Sequence, residues 1–352
     1  MNSVLVTGGA GYIGSHTIVA LLQAGYNVVS VDNYSNSKPT VYKGIEKICG
    51  RKPTIVEGDC TDPTAMRKLF HQYGPIDAVI HFAASKAVGE SVAQPLHYYR
   101  NNIDSLLTLL EVMQEFETQS LVFSSSCTVY GQATVLPVTE ESPILPAASP
   151  YGNTKQICEE VIRDTVAATA LKAISLRYFN PIGAHPSALI GELPFGVPQN
   201  LVPFMTQTAI GIRPQLQVFG NDYPTPDGSC IRDYIYVVDL AKAHVAAVER
   251  MLQGLEQSRY EIFNLGTGAG RSVLDLIREF EQTIEKQLSY KIVGRREGDI
   301  AQIWADPSKA NQALHWRADT PIQTVLKSAW EWEQAQMLTA CSETVNNRIK
   351  NI

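Results

Sequence analysis

A tyrosine and a lysine four residues apart are the first feature of this sequence that could do acid–base chemistry. The stretch SPYGNTK places Tyr151 just after a proline, and Lys155 follows one helical turn later. Residues at i and i+4 lie on the same helix face, so the phenol and the ammonium would face a common space. A cation within a few ångströms lowers the pKa of a phenol from about 10 by roughly 1 to 3 pH units. The spacing therefore predicts a tyrosine base, although ordinary amphipathic helices with a surface lysine show the same spacing.

A glycine-rich turn near the N-terminus is the strongest local signal. VLVTGGAGYIGSH carries Gly8, Gly9, Gly11 and Gly14 between a strand pattern and a helix pattern. Glycine permits a tight turn and lets the backbone approach a pyrophosphate, whose charge is favoured by the N–H groups at the helix start. Ser15 follows Gly14 where a Walker A loop requires lysine, which excludes that phosphate cradle. The turn therefore predicts a dinucleotide site.

Polar residues at the ends of later strand patterns extend this site. Asp32 ends the second strand pattern, where a carboxylate accepts hydrogen bonds from an adenosine ribose and repels a 2′-phosphate, so NAD is favoured over NADP. Asp59 and Lys86 follow the third and fourth strand patterns, and Ser126 ends the fifth. If Ser126 shares a substrate hydroxyl with the tyrosine, then serine, tyrosine and lysine form one constellation for moving a proton beside a nicotinamide.

Alternating strand and helix patterns must position these residues. Candidate strands lie at 3–8, 27–32, 54–59, 77–84, 120–126 and 172–179, with helical patterns at about 12–24, 38–49, 62–72, 95–116 and 152–169. This alternation predicts an α/β fold, a Rossmann-type doubly wound parallel sheet that binds ligands beyond the carboxyl ends of its strands. Prolines and glycines become frequent from about 181, which predicts a smaller C-terminal substrate-binding domain. We expect domains at 1–180 and 181–340, with about 235–265 returning to the first.

Composition limits the classes of protein to which the chain could belong. Of 352 residues, 45% are hydrophobic and 18% charged, which is typical of a globular protein, and the net charge of −6 disfavours nucleic acid as a partner. Scattered cysteines without a C-x-x-C pair favour the cytoplasm, and we expect neither a secretory leader nor a membrane span. The histidines lack metal-ligand spacing, so no metal is expected, and no G-x-S-x-G elbow supports an acyl-transfer hydrolase.

The order and spacing of several motifs resemble the extended short-chain dehydrogenase/reductase family. The matching segments, over roughly residues 2–335, are VLVTGGAGYIGSH, VEGD, VIHFAASKAVGES, FSSSCTVYG, SPYGNTK, LRYFNPIGAHPS, FGNDYPTPDGSCIRDYIYVVDLA, NLGTG and RREGDIAQIWAD. Within the family the chain most resembles the members that interconvert UDP-galactose and UDP-glucose at C4. This resemblance implies a tightly held NAD, a UDP-hexose substrate and a homodimer joined by the helices at about 95–116 and 152–169.

The resemblance also implies a role for individual residues. The family's catalytic groups fall on Ser126, Tyr151 and Lys155, which also contact cofactor or substrate. The other expected NAD contacts are Gly8, Gly11, Tyr12, Ile13, Gly14, Asp32, Asn33, Asn36, Ser37, Asp59, Cys60, Phe82, Ala83, Ala84, Lys86, Asn101, Ser124, Tyr178 and Phe179. The expected UDP-sugar contacts are Asn180, Asn200, Leu201, Gln217, Phe219, Arg232, Tyr234, Arg296, Asp299 and Ile303.

Other functions share this scaffold and remain alternatives to different degrees. Family members that dehydrate nucleotide sugars resemble STDEVYG where this chain has SSCTVYG. Elimination of water needs a carboxylic acid and a carboxylate, and Cys127 and Thr128 supply neither. A non-catalytic nucleotide sensor would be free to lose Tyr151 or Lys155, and both are present.

Substrate range is a further open alternative. Similar family members that are confined to glucose and galactose carry a tyrosine where this chain has Ile303. Members that also accept N-acetylated sugars have a smaller residue there, such as cysteine or serine. Isoleucine is intermediate in size, so a UDP-N-acetylglucosamine or UDP-pentose 4-epimerase stays the alternative.

Overall fold

A seven-stranded parallel sheet forms the centre of this computed structural model, which describes residues 1–296 and 299–350 and, for residues 340–350, only the helical backbone. Glu297 and Gly298 of the motif RREGDIAQIWAD lie outside the described residues. The strands are β1 (Ser3–Thr7), β2 (Asn27–Asp32), β3 (Thr54–Glu57), β4 (Ala78–His81), β5 (Ser120–Ser126), β6 (Lys172–Tyr178), β7 (Asn180–Ile182), β8 (Leu216–Phe219), β9 (Ile231–Tyr236), β10 (Tyr260–Leu265), β11 (Gly270–Ser272), β12 (Tyr290–Val293) and β13 (Gln302–Ile303).

Helices cover the sheet and build the rest of the chain. They are α1 (Tyr12–Gln23), α2 (Val41–Cys49), α3 (Pro63–Tyr73), α4 (Val88–Ala93), α5 (Pro95–Glu115), α6 (Pro150–Ala168), α7 (Leu201–Ala209), α8 (Val237–Leu252), α9 (Val273–Ile284), α10 (Ser308–Ala313) and α11 (Ile322–Lys350). A short 3₁₀ turn at Cys127–Tyr130 follows β5.

The order of the main sheet explains where a ligand can bind. It runs β10-β6-β5-β4-β1-β2-β3, so consecutive strands move outward in opposite directions from the adjacent pair β1 and β4. Loops that leave the carboxyl ends of such a pair diverge to opposite faces and open a crevice. The predicted doubly wound Rossmann-type fold is confirmed. The strands predicted at 54–59 and 77–84 are too long, because the chain leaves β3 after Glu57 and β4 after His81 to form loops at this edge.

Two hydrophobic layers hold helices against the sheet. Successive strand residues point to opposite faces, so Val4 and Val6 of β1 pack towards α1 and α8, whereas Leu5 packs towards α3, α5 and α6. All seven residues of β5 are buried, as expected for a strand covered on both faces. The sheet is therefore a rigid platform for the residues that follow its strands.

A second set of elements follows β6. β7, β9, β11 and β13 form a four-stranded sheet, and β8 pairs with β12. Their core contains Val202, Met205, Leu276, Phe280 and Leu326. β10 pairs in parallel with β6, and α8 packs on α1 within the first core. A domain boundary at residue 180 stays a prediction.

Candidate active site

The glycine turn between β1 and α1 lies at the crevice. Gly8 has φ +67°, and a Cβ there would come within 2.8 Å of the Ala83 backbone nitrogen in the loop after β4. A Cβ on Gly14 would overlap the carbonyl oxygen of Gly8. Among the described residues, no side chain caps α1 at Gly11 and no acidic residue lies in its first turn. The N–H groups of that turn are therefore oriented to receive an anion such as a pyrophosphate.

Asp32 connects the glycine turn to the loop after β2. Its Oδ2 accepts a hydrogen bond from the Ala10 N–H at 2.9 Å, and its Oδ1 accepts from the Tyr34 N–H at 2.9 Å and the Ser37 hydroxyl at 2.8 Å. Because a carboxylate has about four acceptor positions, it keeps capacity for a ribose hydroxyl. Asp32 thus holds together the glycine turn and the loop after β2, the two segments expected to contact the adenosine.

The remaining predicted NAD contacts lie along the same carboxyl edge of the sheet. Asn33 donates to Asp59 at 3.0 Å, which joins the loops after β2 and β3. Asn36 is exposed in the loop after β2, and Ile13 lies in the first turn of α1. Cys60 is buried after β3. Phe82, Ala83, Ala84 and Lys86 leave β4.

The loop after β4 and the end of β6 carry the last of the predicted NAD contacts. The ammonium of Lys86 lies 5.7 Å from the ring centroid of Tyr12 and 3.5 Å from the Glu192 carboxylate. Asn101 of α5 donates to the Ser85 hydroxyl at 3.3 Å. Tyr178, followed by Phe179, forms a hydrogen bond with the Ser124 hydroxyl across β5 and β6. The structure therefore brings the predicted cofactor residues to one edge. The Glu192 contact was missed, since it joins segments far apart in sequence.

The predicted serine, tyrosine and lysine meet where β5 ends and α6 begins. α6 starts at Pro150 because the Ser149 hydroxyl accepts a hydrogen bond from the Gly152 N–H at 3.2 Å and proline suits the first helical position. The Lys155 ammonium donates to the Ser124 carbonyl oxygen at 2.7 Å and lies 6.0 Å from the ring centroid of Tyr151. Ser126 is the last residue of β5.

Burial dominates the protonation of this group. It raises the pKa of Tyr151 to about 12, and a hydrogen bond with Ser126 offsets only part of this rise. It lowers the pKa of Lys155 to about 8, while Cys158 and Glu159 act in the opposite direction. The protein's own groups therefore do not lower the phenol pKa as the spacing predicted, because losing the hydration of the phenolate costs more than they return.

A separate cavity has a volume of about 350 Å³, and its described lining residues do not include Ser126, Tyr151 or Lys155. Every predicted UDP-sugar contact from Asn180 to Asp299 lines it, namely Asn180, Asn200, Leu201, Gln217, Phe219, Arg232, Tyr234, Arg296 and Asp299. Arg296 lies over the ring of Phe219, 4.4 Å from its centroid, and Arg232 forms an ion pair with Asp299. Sequence reasoning missed other lining residues, including Val197, Pro198, Phe204 and Cys230, because their proline- and glycine-rich surroundings show no periodicity. Apolar walls with a few fixed polar groups are typical of a small-molecule site.

Ile303 takes a different position from the predicted UDP-sugar contacts between Asn180 and Asp299. It is 2% exposed and packs in a hydrophobic cluster with Val129, Tyr130 and Phe179. Of the described residues, those lining the cavity do not include it. Its backbone pairs with Arg232 in the β13–β9 ladder. A contact between Ile303 and a substrate stays a prediction.

Other features of the described chain bear on its class. In residues 1–296 and 299–350, no helix combines the length and the apolar character that crossing a bilayer requires. Within the same ranges, no group of three or more histidine, cysteine or carboxylate side chains could hold a metal ion. The free thiols among the described residues are Cys49, Cys60, Cys127, Cys158 and Cys230.

Fold and site together define a dinucleotide-binding α/β protein with a tyrosine–lysine pair and a second ligand cavity. A family model described as GDP-mannose 4,6 dehydratase matches residues 5–329. The chain belongs to this extended short-chain dehydrogenase/reductase family, in the group that holds the UDP-glucose 4-epimerases.

Individual relatives and solved structures support this placement. The UDP-glucose 4-epimerase of Yersinia enterocolitica is 48% identical over 333 residues, which are 94% of this chain and 97% of the relative. The UDP-glucose 4-epimerase of Bifidobacterium longum, solved in complex with NAD⁺ and UDP, has a TM-score of 0.91 and 46% identity, covering 95% of this chain and 98% of that chain. The Stenotrophomonas maltophila enzyme, solved with NAD and formylated UDP-arabinopyranose, gives 0.92 and 46%, covering 96% and 100%.

Proposed function

We propose that this protein interconverts UDP-galactose and UDP-glucose by NAD-dependent epimerisation at C4. The observation that carries the proposal is the meeting of Ser126, Tyr151 and Lys155 at the carboxyl edge of the sheet that also carries the dinucleotide turn. The Yersinia enterocolitica UDP-glucose 4-epimerase is 48% identical over 94% of this chain. The Bifidobacterium longum enzyme, at 46% identity, was solved with both NAD⁺ and UDP.

The chain's own residues supply proton handling at the 4-hydroxyl. The Tyr151 phenolate takes the proton of the 4-hydroxyl as C4 is oxidised, and the resulting phenol returns that proton to the C4 oxygen when C4 is reduced, while the Ser126 hydroxyl shares the same substrate oxygen. Lys155, held on the Ser124 carbonyl oxygen, stabilises the phenolate. When bound, NAD would supply the reversible hydride acceptor and, in its oxidised form, a second positive charge that favours the phenolate. That charge is needed, since burial raises the pKa of Tyr151 to about 12.

The glycine turn and the carboxyl edge of the sheet fit NAD. The turn excludes side chains where the backbone approaches Ala83, and the first turn of α1 presents its N–H groups to a pyrophosphate. We expect the Asp32 carboxylate to accept hydrogen bonds from a ribose. The other contacts proposed for NAD are those that the sequence predicted along this edge.

The cavity fits the UDP part of the substrate. Arg232 and Arg296 bring two guanidinium groups that form charge-assisted hydrogen bonds with a diphosphate. Asp299 holds the Arg232 guanidinium by an ion pair, and Phe219 offers an aromatic ring for a uracil. These groups hold the diphosphate end, so the sugar is the part that turns between the two hydride transfers.

Dehydration, which the name of the family model describes, is not supported by this site. The turn after Ser126 carries Cys127 and Thr128, and neither is a carboxylic acid. Burial raises the pKa of the Cys127 thiol to about 12, which makes it a much weaker proton donor than the carboxylic acid of the dehydrating members. Epimerisation requires no such acid.

We further propose that the protein is a cytoplasmic homodimer that pairs through α5 and α6. α5 exposes Leu96 and Leu107, which a partner subunit would cover. The scattered free thiols favour a reducing compartment. Analytical ultracentrifugation of the parent and of a Leu107→Glu variant tests the pairing, and a parent that sediments as a monomer at micromolar concentration contradicts it.

The deciding experiment is turnover of UDP-galactose by purified protein without added NAD. We expect UDP-glucose to form, and Tyr151→Phe to lower kcat at least about 100-fold, since general acid–base groups contribute roughly 10²–10⁴-fold. Tyr73→Phe, at the far end of α3, is the matched control and should keep full activity. UDP-arabinose and UDP-N-acetylgalactosamine are assayed in parallel, because a Stenotrophomonas maltophila relative binds a formylated UDP-arabinopyranose. Unchanged kcat in Tyr151→Phe would end the proposal.

A further inference from the structure

A buried ion pair joins α6, which carries Tyr151 and Lys155, to β6. The Arg177 guanidinium of β6 donates to the Glu159 carboxylate of α6 through Nε at 2.9 Å and Nη2 at 2.5 Å. Both residues are at most 3% exposed. A two-pronged contact of this kind fixes the orientation of both groups. It therefore sets how α6 sits on the sheet.

The pair is joined to the segments that carry all three catalytic groups. The Ser125 hydroxyl, one residue before Ser126, donates to Glu159 Oε1 at 2.5 Å. Arg177 donates through Nη1 to the Tyr130 hydroxyl at 3.0 Å, in the turn just after Ser126. Glu159 itself follows Lys155 by one turn of α6. The ion pair thus connects the helix of the tyrosine and lysine with both sides of the catalytic serine.

The network continues to the edge of the main sheet. The Tyr130 hydroxyl donates to Asn264 Oδ1 of β10 at 2.6 Å, and the Asn264 amide donates to the Val138 carbonyl oxygen at 3.1 Å. Val138 lies in the loop between Ser126 and Tyr151. The polar groups are mutually satisfied, so the arrangement is rigid, and moving one member disturbs its neighbours.

We propose that the Glu159–Arg177 pair is a charge-balanced positioning unit for the epimerase reaction. It fixes the positions of Tyr151 and Lys155 relative to Ser126. Because the charges of Glu159 and Arg177 cancel, the pair adds little net electrostatic potential at the Lys155 ammonium. Neither residue contacts substrate or cofactor in this role. The inference rests on the function proposed above.

The surroundings of Lys155 show why the balance matters. On α6 it has Glu159 one turn away, with Cys158 and Tyr151 as the other titratable groups. From β4 it faces His81, and from β6 Tyr178 shares its Ser124 partner residue. Burial holds His81 neutral, lowering its pKa to about 3. Glu159 is therefore the nearest anion to the lysine, and Arg177 is the cation that balances it.

Opposite single substitutions test the proposal. Glu159→Gln leaves the Arg177 cation unbalanced, which disfavours a charged Lys155, so the alkaline limb of kcat/KM against pH should move down by about 0.5 to 1 pH unit. Arg177→Gln leaves the Glu159 anion unbalanced, so the limb should move up by a similar amount. The double variant restores neutrality and should return the limb to its parent position. In both single variants we expect kcat to fall about 10-fold or more while the KM for UDP-galactose changes less than 2-fold.

A matched control separates positioning from general stability. Glu261 of β10 and Arg250 of α8 form an ion pair of similar burial and geometry, with contacts at 2.6 and 2.9 Å. α8 packs on the face of the sheet that α1 covers, whereas α6, which carries Glu159, packs on the other face. Glu261→Gln should lower thermal stability as much as Glu159→Gln but leave the pH limb in place. Ser125→Ala keeps both charges and should fold, yet lower kcat several-fold at unchanged KM.

Melting temperature and the NAD released on denaturation are measured for every variant. Single variants whose limbs stay in place or move in the same direction overturn the inference, as does Ser125→Ala with parent kcat. If Glu159→Gln does not fold, Arg177→Gln, the double variant and Ser125→Ala decide. A parent protein that does not convert UDP-galactose refutes the proposed function instead, so the two failures are distinguishable.

Discussion

Three buried histidines make the stability of this protein sensitive to mild acid. His16 and His81 are 2% exposed, and His244 is 0% exposed. Burial lowers the pKa of each imidazole, to about 3 for His16 and His81 and to about 4 for His244. In the described part of the chain, Nε2 of His16 and of His244 is buried without a hydrogen-bond partner. Protonation would therefore bury an uncompensated charge.

The size of the effect follows from proton linkage. An unfolded histidine has a pKa of about 6.5, so it gains a proton as the pH falls to 5.5, while the folded imidazoles stay neutral. The unfolded state then binds more protons, and the free energy of unfolding falls by about 1.4 kcal/mol per histidine between pH 8 and 5.5. The three together cost about 4 kcal/mol. Carboxylates with lowered pKa, such as Asp59, lose their contribution only at lower pH.

Urea unfolding followed by tryptophan fluorescence measures this loss. The free energy of unfolding is determined at pH 8 and at pH 5.5 with the same excess of NAD, since bound ligand adds its own stabilisation. His244→Asn should lose about 1.4 kcal/mol of the pH dependence. His71→Asn, at an exposed position of α3, should retain all of it. Equal stability of the parent at the two pH values would refute the reasoning.

The remaining predictions concern ligand binding. Gly14→Ala should abolish the retention of NAD by the purified protein, because the added methyl group overlaps the Gly8 carbonyl oxygen. Gly89→Ala is the control and should retain NAD, because its methyl group meets open space among the described residues. The absorbance of the cofactor released on denaturation measures retention in both variants. Phe219→Ala should raise the KM for UDP-galactose about 10-fold, as lost aromatic contact costs roughly 0.5–1.5 kcal/mol beyond area burial; an unchanged KM contradicts uracil packing. Ile303→Tyr should lower turnover of UDP-N-acetylgalactosamine relative to UDP-galactose, and equal exclusion of the N-acetylated sugar by both proteins would end the idea of a wider range.

Local sequence patterns determined the main sheet and the identity of the site. The strand patterns lie within two or three residues of β1 to β6, and the helix patterns do so for most of their helices. Burial on two faces and helical periodicity are properties of neighbouring residues, so the sequence expresses them directly. The same holds for the glycine turn, for Asp32 at a strand end and for Tyr151 and Lys155 one helical turn apart.

Sequence patterns predicted less of the second unit. Sequence reasoning missed the short strands β7, β8, β11, β12 and β13, since two- to four-residue strands carry almost no periodic signal. It also missed the helix α7. α11 begins at Ile322 and its backbone continues to Lys350, beyond the predicted limit of the second domain at residue 340.

Only the tertiary structure decided the electrostatics of the site and its supports. Spacing suggested a lowered phenol pKa, but the structure shows that burial raises the pKa of Tyr151 and lowers that of Lys155. The Glu159–Arg177 pair and the burial of Ile303 against Phe179 depend on segments far apart in sequence. Hydration loss and charge pairing are set by every group within several ångströms, and chain folding alone determines which groups those are.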